Sequence, residues 1–295
     1  MSKISNNKLI LGTVQMGLAY GINNTVGKVS LENSHDILEY AYNQGIQILD
    51  SAEAYGNAHK VIGAFHSNHP NKTFEVITKL PHQFDADIND KVNTYLSDLC
   101  VNQLHALLFH SFSSYKENIN NFDVLTDLKA KGKIKYIGVS VYTNEEIEDV
   151  LLNDDVDIIQ LPFNLFDNSN QRGEVLIKAK AKGKTIHTRS ALLQGLFFKA
   201  VDSDHHIVRG LKNELIHLSD ISKNSKISIA QLALDYCVQQ TTIDNVLIGV
   251  DSREQLEENI ASLKHAVNEE TIEKINTIKV ANINLLNPSL WNQKQ

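Results

Sequence analysis

Residues 46–56 read IQILDSAEAYG, and this stretch contains one unit of the pattern that decides the fold. Its first part, Ile46–Ser51, is a short run of mainly branched apolar residues, which is typical of a buried strand. The preceding stretch, Ser34–Gln44, spaces its apolar side chains along one face of a helix, and Gly45 follows where that helix would end. The sequence therefore predicts a helix, a glycine stop and a buried strand in this order.

The same unit recurs along the chain. The other predicted strands are Leu9–Val14, Phe74–Thr78, Ala106–Phe109, Tyr136–Ser140, Asp157–Leu161, Thr185–Thr188 and Asn245–Val250. Between them lie amphipathic stretches such as Asp90–Leu99 and Thr143–Leu152, and Gly132 and Gly183 fall where helices should end. Alternating strands and helices imply parallel strands joined by right-handed crossovers. About eight such units match a closed (β/α)8 TIM barrel, an α/β fold, better than an open sheet.

The domain organisation follows from length and linker composition. The 295 residues suit either two ordinary domains or one large barrel, and no linker rich in proline, serine or glycine divides them. We therefore predict a single domain over residues 1–295. Ser228–Gln240 and Glu269–Val280 predict additional C-terminal helices, followed by a polar tail that contains Trp291.

The composition argues against several classes of function. The formal net charge is −7 and no basic block offsets it, so nucleic-acid binding is not expected. No apolar run approaches the roughly 18 residues of a membrane-spanning helix. The polar segment Met1–Lys8 has no apolar signal core, so we expect a cytoplasmic protein. Cys100 and Cys237 lie in apolar, helix-like surroundings and are expected to be buried thiols, and no metal site is predicted.

Polar side chains follow three of the predicted strands. The second strand reaches Asp50 and leads to Tyr55, the third ends next to Lys79, and the fourth is followed by His110. Active sites of TIM barrels lie at the C-terminal ends of the strands, so these groups should meet at the mouth of the barrel. Four ionisable groups on consecutive strand ends point to catalysis.

These residue types suit the reduction of a carbonyl group by hydride, which builds charge on oxygen and requires a proton there. A tyrosine hydroxyl has an unperturbed pKa of about 10, and we expect the Lys79 ammonium to lower the pKa of Tyr55. Asp50 can pair with Lys79 and keep it charged. His110 can hydrogen-bond the substrate oxygen.

The four residues also resemble, in order, spacing and strand context, the catalytic tetrad of the aldo-keto reductases. The likeness covers nearly the whole chain and includes the block DSAEAYG at residues 50–56. The resemblance implies the interconversion of an aldehyde or ketone with its alcohol, with NAD or NADP as cofactor and Tyr55 as general acid and base. It also implies a small-molecule carbonyl or alcohol as substrate and, by default, a monomer.

The same resemblance implies cofactor contacts at the remaining strand ends. Ser140 and Gln160 match positions that hydrogen-bond the nicotinamide carboxamide, a group that offers both a donor and an acceptor. Arg189 stands where many relatives carry an aromatic residue that stacks on the nicotinamide ring. A guanidinium can also stack on a ring, and the alternative is that Arg189 contacts the pyrophosphate. The other implied contacts are Gly12, Thr13 and Asp50 near the first strands, Ser190, Leu192 and Gly195 in the pyrophosphate loop, and Gly249, Gln255 and Asn259 at the adenosine end.

The choice between NADP and NAD stays open. The family slightly favours NADP, and its NADP-specific members often carry Lys or Arg near Gly249–Asp251. This chain has the acidic Asp251 there, which would repel a 2′-phosphate, although Ser252 and Arg253 could still bind one. A further departure is His59, which replaces the Glu of relatives and is expected to face solvent at the start of a helix.

Two other functions stay open. Chains that resemble this family also act as dinucleotide-binding regulatory or sensor proteins, although the intact tetrad argues for an enzyme. A lyase that forms a Schiff base through Lys79 would leave Asp50 and Tyr55 without a clear task.

The substrate is not predicted beyond a sugar-like carbonyl, because the loops that shape the pocket vary freely. Asn164 either caps its own loop or binds a ligand, with neither favoured. The apolar loop residues either line a pocket or cover the barrel mouth; they are Met16, Tyr20, Phe84, Phe112, Phe163, Phe166, Phe197 and Phe198.

Overall fold

The structure is a computed structural model, and it describes residues 8–22, 24, 27–84, 87–263 and 266–291. Residues 1–7 of the polar segment Met1–Lys8 lie outside these ranges, and so do the final four residues of the C-terminal tail. The strands are β1 (Leu9–Gly12), β2 (Ile48–Asp50), β3 (Glu75–Leu80), β4 (Leu104–Phe109), β5 (Ile134–Ser140), β6 (Ile158–Pro162), β7 (Thr185–Arg189) and β8 (Asn245–Gly249). They pair in sequence order, all parallel, into a closed barrel.

Helices connect the strands and continue beyond them. They are α1 (Val14–Gly17), α2 (Leu31–Asn43), α3 (Ala58–Asn68), α4 (Ile88–Leu99), α5 (Phe112–Glu117), α6 (Phe122–Ala130), α7 (Asn144–Val150), α8 (Ser169–Ala181), α9 (His206–Gly210), α10 (Lys212–Ser225), α11 (Ile229–Gln239), α12 (Arg253–Ser262) and α13 (Glu269–Asn276). The predicted (β/α)8 barrel with additional C-terminal helices is therefore confirmed.

Local sequence signals explain where several helices begin and end. Ser30 caps α2 by accepting a hydrogen bond from the backbone of Asn33, and Thr143 forms a reciprocal capping box with Glu146 at α7. Gly45, Gly132 and Gly183 have φ values of 84°, 70° and 72°, the left-handed geometry expected after a helix.

The barrel contains two apolar cores. A small cluster that includes Ile10, Ile77, Leu108 and Ile158 is separate from the much larger core that the helices share. Side chains alternate along a strand with a period of two, so the residue two places after each member of the small cluster faces the same side. These next positions are Gly12 at the end of β1, Lys79 one residue before the end of β3, His110 directly after β4 and Gln160 in the middle of β6.

Two sequence-based expectations about burial are wrong. Cys100 is exposed, because it ends α4 in a left-handed conformation with φ 53° at the surface; only Cys237 is buried. His59 is 7% exposed rather than solvent-facing. Its Nε2 lies 2.8 Å from Thr78 Oγ1 and its ring meets Tyr95 edge-on, because the first turn of α3 packs against β3 and α4.

The C-terminal tail packs back onto the barrel. The Trp291 side chain is 5% exposed, and its indole N–H donates to the Leu285 carbonyl at 3.0 Å. Among the residues described, no helix is both long and apolar enough to cross a membrane. The described ranges also bring together no group of three or more His, Cys, Asp or Glu side chains suited to a metal ion.

Candidate active site

A buried ion pair lies at the centre of the barrel mouth. Lys79 Nζ donates to Asp50 Oδ1 and, at 2.9 Å, to the Ser51 carbonyl. The second carboxylate oxygen of Asp50 accepts a hydrogen bond from Gln160 Nε2 at 2.8 Å. Burial lowers the pKa of Lys79, whereas Asp50 opposes this shift. A buried charge needs such partners, and this network fixes the ammonium group in position.

Tyr55 lies next to this pair. Lys79 Nζ is 5.3 Å from the centroid of the Tyr55 ring, and the His110 ring meets the Tyr55 ring edge-on at 5.9 Å. Burial raises the pKa of Tyr55 above its ordinary value, Asp50 raises it further, and Arg189 lowers it. We expected Lys79 to lower this pKa; in the structure the cation that lowers it is Arg189. The hydroxyl is therefore neutral and carries the proton that a general acid needs.

The turn that carries Tyr55 is tightly held. The Thr13 backbone N–H and Thr13 Oγ1 both donate to the Asp50 carbonyl at 3.0 Å, which joins the end of β1 to the end of β2. Gly17 packs directly against this turn, since a Cβ there would lie 1.7 Å from the Tyr55 carbonyl oxygen. Gly56 follows with φ 56°, a conformation that favours glycine.

His110 is a neutral imidazole. Burial lowers the pKa of His110 to about 3, and Lys79, His82 and Arg189 lower it as well. Its ring stacks on the His82 ring at 4.9 Å. Within the described part of the chain, its buried Nδ1 has no hydrogen-bond partner. The ring can therefore act toward a ligand as a hydrogen-bonding group rather than as a cation.

The candidate nicotinamide residues come together at neighbouring strand ends. Ser140 of β5 is the register partner of Gln160 of β6, and both are buried. Arg189 ends β7, paired in register with Pro162. Its guanidinium carbon lies 4.0 Å from the centroid of the Tyr142 ring, and Nη2 donates to the Val141 carbonyl at 3.1 Å. Arg189 therefore already stacks on an aromatic ring of this chain.

The loop after β7 has an unusual backbone. Ser190, Leu193, Gln194 and Gly195 have φ values of 63°, 45°, 53° and 87°. Positive φ at non-glycine residues costs on the order of 1–3 kcal/mol each and clusters at functional sites. Gln194 Nε2 also donates to the Tyr20 hydroxyl at 2.7 Å, which links this loop to the one after β1. Leu192 lies within the same loop and is partly buried.

The candidate adenosine end lies between β8 and α12. Gly12 and Gly249 are register partners, and a Cβ on Gly249 would lie 2.8 Å from Gln15 Nε2. Ser252 caps α12 by accepting from the Gln255 backbone, while the Gln255 side chain accepts from the Asp251 backbone. Asn259 follows Gln255 by one helical turn, so both lie on one face of α12.

The charged groups at this end are already engaged. Asp251 Oδ1 accepts a hydrogen bond from Asn24 Nδ2 at 3.1 Å. Arg253 donates to Asp36 at 3.0 Å and to Glu257 at 2.8 Å. The Arg253 guanidinium is therefore neutralised by two carboxylates.

Sequence reasoning missed the neighbours of Arg189. Tyr142 stands two residues after the end of β5, and an inspection of every strand end for aromatic side chains would have found it. Asp167 and Arg172 form a buried bidentate pair at 2.6 and 2.8 Å, and Arg172 Nη2 donates to the Tyr142 carbonyl at 2.6 Å. No local sequence pattern predicts that the Asp167–Arg172 pair belongs to the mouth of the barrel.

The apolar loop residues divide into three groups by exposure. The buried ones are Met16, Phe163, Phe166 and Phe197, the partly buried ones that pack against the main core are Phe84 and Phe112, and the exposed ones are Tyr20 and Phe198. Asn164 caps its own loop, since its Oδ1 accepts from the backbones of Phe166 and Asp167 at 2.9 and 3.0 Å.

Comparison with known proteins agrees with this geometry. Residues 8–280 match the model of the aldo/keto reductase family. The NADH-specific methylglyoxal reductase of Escherichia coli is 22% identical over 88% of this chain and 90% of its own. The L-galactose dehydrogenase of Arabidopsis thaliana is 24% identical over 97% of this chain and 96% of its own. Among solved structures, an aldo-keto reductase of Bacillus halodurans in its holo form superimposes with a TM-score of 0.76 at 18% identity, covering 92% of this chain and 91% of its own.

The closed barrel of eight parallel strands and the family match together define the class of carbonyl-reducing TIM-barrel oxidoreductases. The chain belongs to the aldo/keto reductase family.

Proposed function

We propose that the protein is an NAD(P)H-dependent oxidoreductase that interconverts a small-molecule aldehyde or ketone, sugar-like carbonyl compounds included, with its alcohol. One observation carries the proposal: a neutral phenol, Tyr55, lies beside the buried Lys79–Asp50 pair and the neutral imidazole of His110. Each of these groups has a definite task in carbonyl reduction.

The chemistry divides among these side chains. When bound, a nicotinamide cofactor supplies or accepts the hydride. Tyr55 donates its phenolic proton to the carbonyl oxygen as charge builds there, and in the reverse direction it takes the proton back. Arg189, whose charge lowers the pKa of Tyr55, stabilises the phenolate that remains, and Lys79, held by Asp50, adds its positive charge beside the ring. His110 hydrogen-bonds the carbonyl oxygen and orients it.

The mouth of the barrel fits such a cofactor. The Ser140 hydroxyl and the Gln160 amide lie side by side and suit a carboxamide, which is both donor and acceptor. The left-handed residues of 190–195 turn the backbone after β7 as a phosphate-binding loop requires. Ser252 caps the N-terminus of α12, beside which the adenosine end would lie.

We further propose that NADH is preferred over NADPH. Asp251 would repel a 2′-phosphate, and Arg253 is already paired with Asp36 and Glu257. A relative that covers most of this chain is named for NADH specificity. Dissociation constants measured by fluorescence titration should be at least tenfold lower for NADH. Tenfold tighter binding of NADPH would contradict this preference.

The activity itself is tested with 4-nitrobenzaldehyde and the loss of NADH absorbance. Tyr55→Phe should lower kcat by about 10²–10⁴-fold, the range for a lost general acid, while the Kd for NADH stays within twofold. Retained turnover in Tyr55→Phe would refute the role of Tyr55. NADH binding without turnover by the wild type would instead indicate a sensor, and a borohydride-trapped adduct on Lys79 would indicate a lyase.

The proposal extends to the setting of the enzyme. We propose a cytoplasmic monomer whose partner is a small molecule rather than a nucleic acid or a membrane. Light scattering at assay concentration tests the monomeric state.

A further inference from the structure

Arg189 brings a surplus positive charge to the barrel mouth. Among the described residues it forms no ion pair, because the two buried carboxylates nearby are occupied. Asp50 is bound by Lys79, and Asp167 is bound by Arg172 through two hydrogen bonds of 2.6 and 2.8 Å. Three cationic side chains therefore face two carboxylates.

The position of Arg189 is fixed by this chain alone. Its guanidinium lies over the Tyr142 ring, and Nη2 donates to the Val141 carbonyl at 3.1 Å. Arg172 in turn holds the Tyr142 carbonyl at 2.6 Å, so the ring beneath Arg189 is supported by a buried ion pair. Of the five N–H donors of a guanidinium, one has a partner within the described part of the chain. The Arg189 guanidinium is therefore held in one position, and most of its N–H groups can still donate to a ligand.

Arg189 also lies at the reacting end of the site. It ends β7 beside β6, whose Gln160 bonds Asp50 of the buried ion pair, and its charge lowers the pKa of Tyr55, Lys79 and His110. From the end of β7, on the strand next to Gln160, the guanidinium lies on the side of the mouth that holds the ion pair, where it can bind a group attached to the reacting carbonyl compound. The loop 190–195 lies beyond it and has its own backbone donors for a pyrophosphate.

We propose that Arg189 binds a carboxylate or phosphate group of the substrate, so that the enzyme selects anionic aldehydes or ketones. A guanidinium fork matches the geometry of either anion, and a charge-assisted pair at a partly buried site binds more tightly than a neutral one. This inference rests on the proposed carbonyl reduction. It adds the substrate class, and it makes Arg189 a specificity-determining residue.

The test compares 4-carboxybenzaldehyde with its methyl ester, since the two share one carbon framework and differ in charge. The ester is the more electrophilic aldehyde, so a preference for the acid cannot come from intrinsic reactivity. The wild type should have the higher kcat/KM for the acid. Arg189→Met should lower that value about 10–100-fold more than it lowers the value for the ester, mainly through KM, because the loss common to both substrates reports only the effect of Arg189 on Tyr55. The Kd for NADH should stay within twofold. Arg209→Met removes the same charge from exposed α9 and should change neither substrate.

Inhibition of the wild type tests the same idea without a variant. Benzoate should compete with the ester substrate more strongly than benzamide does, and phenyl phosphate in a parallel series shows which anion is preferred. Equal losses for acid and ester in Arg189→Met, a tenfold rise in the NADH Kd, or no preference of the wild type for an anion would each overturn the inference. If the ester is reduced, such a result contradicts only the role of Arg189 and leaves the proposed carbonyl reduction standing. If neither aldehyde is reduced, the result contradicts the proposed carbonyl reduction itself.

Discussion

At the scale of single residues, the site keeps its acid–base groups neutral by burial. The pKa of His110 is lowered to about 3, chiefly by burial, and burial raises the pKa of Tyr55. The imidazole therefore takes up a proton only in strong acid, and the phenol loses its proton only above its ordinary range. Reduction needs the protonated phenol and the neutral ring, and both are present across the neutral pH range.

This predicts a flat pH profile. The kcat/KM for reduction of 4-nitrobenzaldehyde, measured from about pH 6 to pH 9 with saturating NADH, should change less than threefold, because neither group titrates there. His110→Gln should lower the level of the profile without changing its shape. A break near pH 6.5 in the wild type that disappears in His110→Gln would show that the His110 ring titrates in this range and is not kept neutral by burial.

At the scale of elements, α4 supports the turn that carries Tyr55. The Glu53 carboxylate accepts hydrogen bonds from Lys91 Nζ at 3.0 and 3.1 Å and from the Tyr95 hydroxyl, and both donors lie on α4. The Glu53 backbone N–H donates to the Lys79 carbonyl at 3.3 Å. The turn between β2 and α3 is thus held through both the carboxylate and the backbone N–H of Glu53.

Removing one anchor should misplace the phenol. Tyr95→Phe is expected to lower kcat by about 3–10-fold, the value of one hydrogen bond, because the proton donor is held less exactly. The Kd for NADH should not change. Tyr42→Phe is the matched control. Tyr42 lies in the last turn of α2, away from the mouth, and its hydroxyl donates a hydrogen bond to the Asn71 carbonyl. A Tyr95→Phe enzyme with the kcat of the control would show that the turn needs no support from α4.

The elements themselves were predictable because burial on both faces makes the strands apolar runs. The errors have local causes. The predicted third strand stopped at Thr78 because Lys79 is charged, yet β3 continues to Leu80 and carries Lys79 into the barrel. The first strand was extended to Val14, whereas β1 ends at Gly12 because Thr13 turns to bond the Asp50 carbonyl.

At the scale of the whole molecule, barrel closure brings distant strand ends to one mouth, and that much follows from the fold class alone. Side-chain pairs between distant segments do not follow from it. Arg253 and Asp36 are 217 residues apart in sequence, and Tyr20 and Gln194 are 174 apart. No periodicity or spacing encodes such pairs, so the sequence left both the NAD–NADP choice and the surroundings of Arg189 open.

The closed barrel also couples stability to pH through His187. This side chain is 1% exposed in β7, and within the described residues its Nδ1 has no partner. The pKa of His187 is lowered to about 3, chiefly by burial and also by His105 and Lys79, against the opposing effect of Asp244. As the pH falls below about 6.5, the unfolded chain takes up a proton at His187 that the folded chain does not, so stability is lost.

This loss can be measured against a variant. Between about pH 7.5 and pH 5.5 the proton taken up by unfolded His187 should cost the wild type about 1.4 kcal/mol of unfolding free energy, from urea denaturation at each pH. His187→Gln lacks this group. From pH 7.5 to pH 5.5 the decrease in its free energy of unfolding should therefore be about 1.4 kcal/mol smaller than the decrease in the wild type, whatever the absolute stability of the variant. His217→Gln removes an exposed histidine on α10 and should keep the wild-type dependence. Equal losses in wild type and His187→Gln would mean that His187 accepts a proton in the folded barrel, which its burial among other cationic groups opposes.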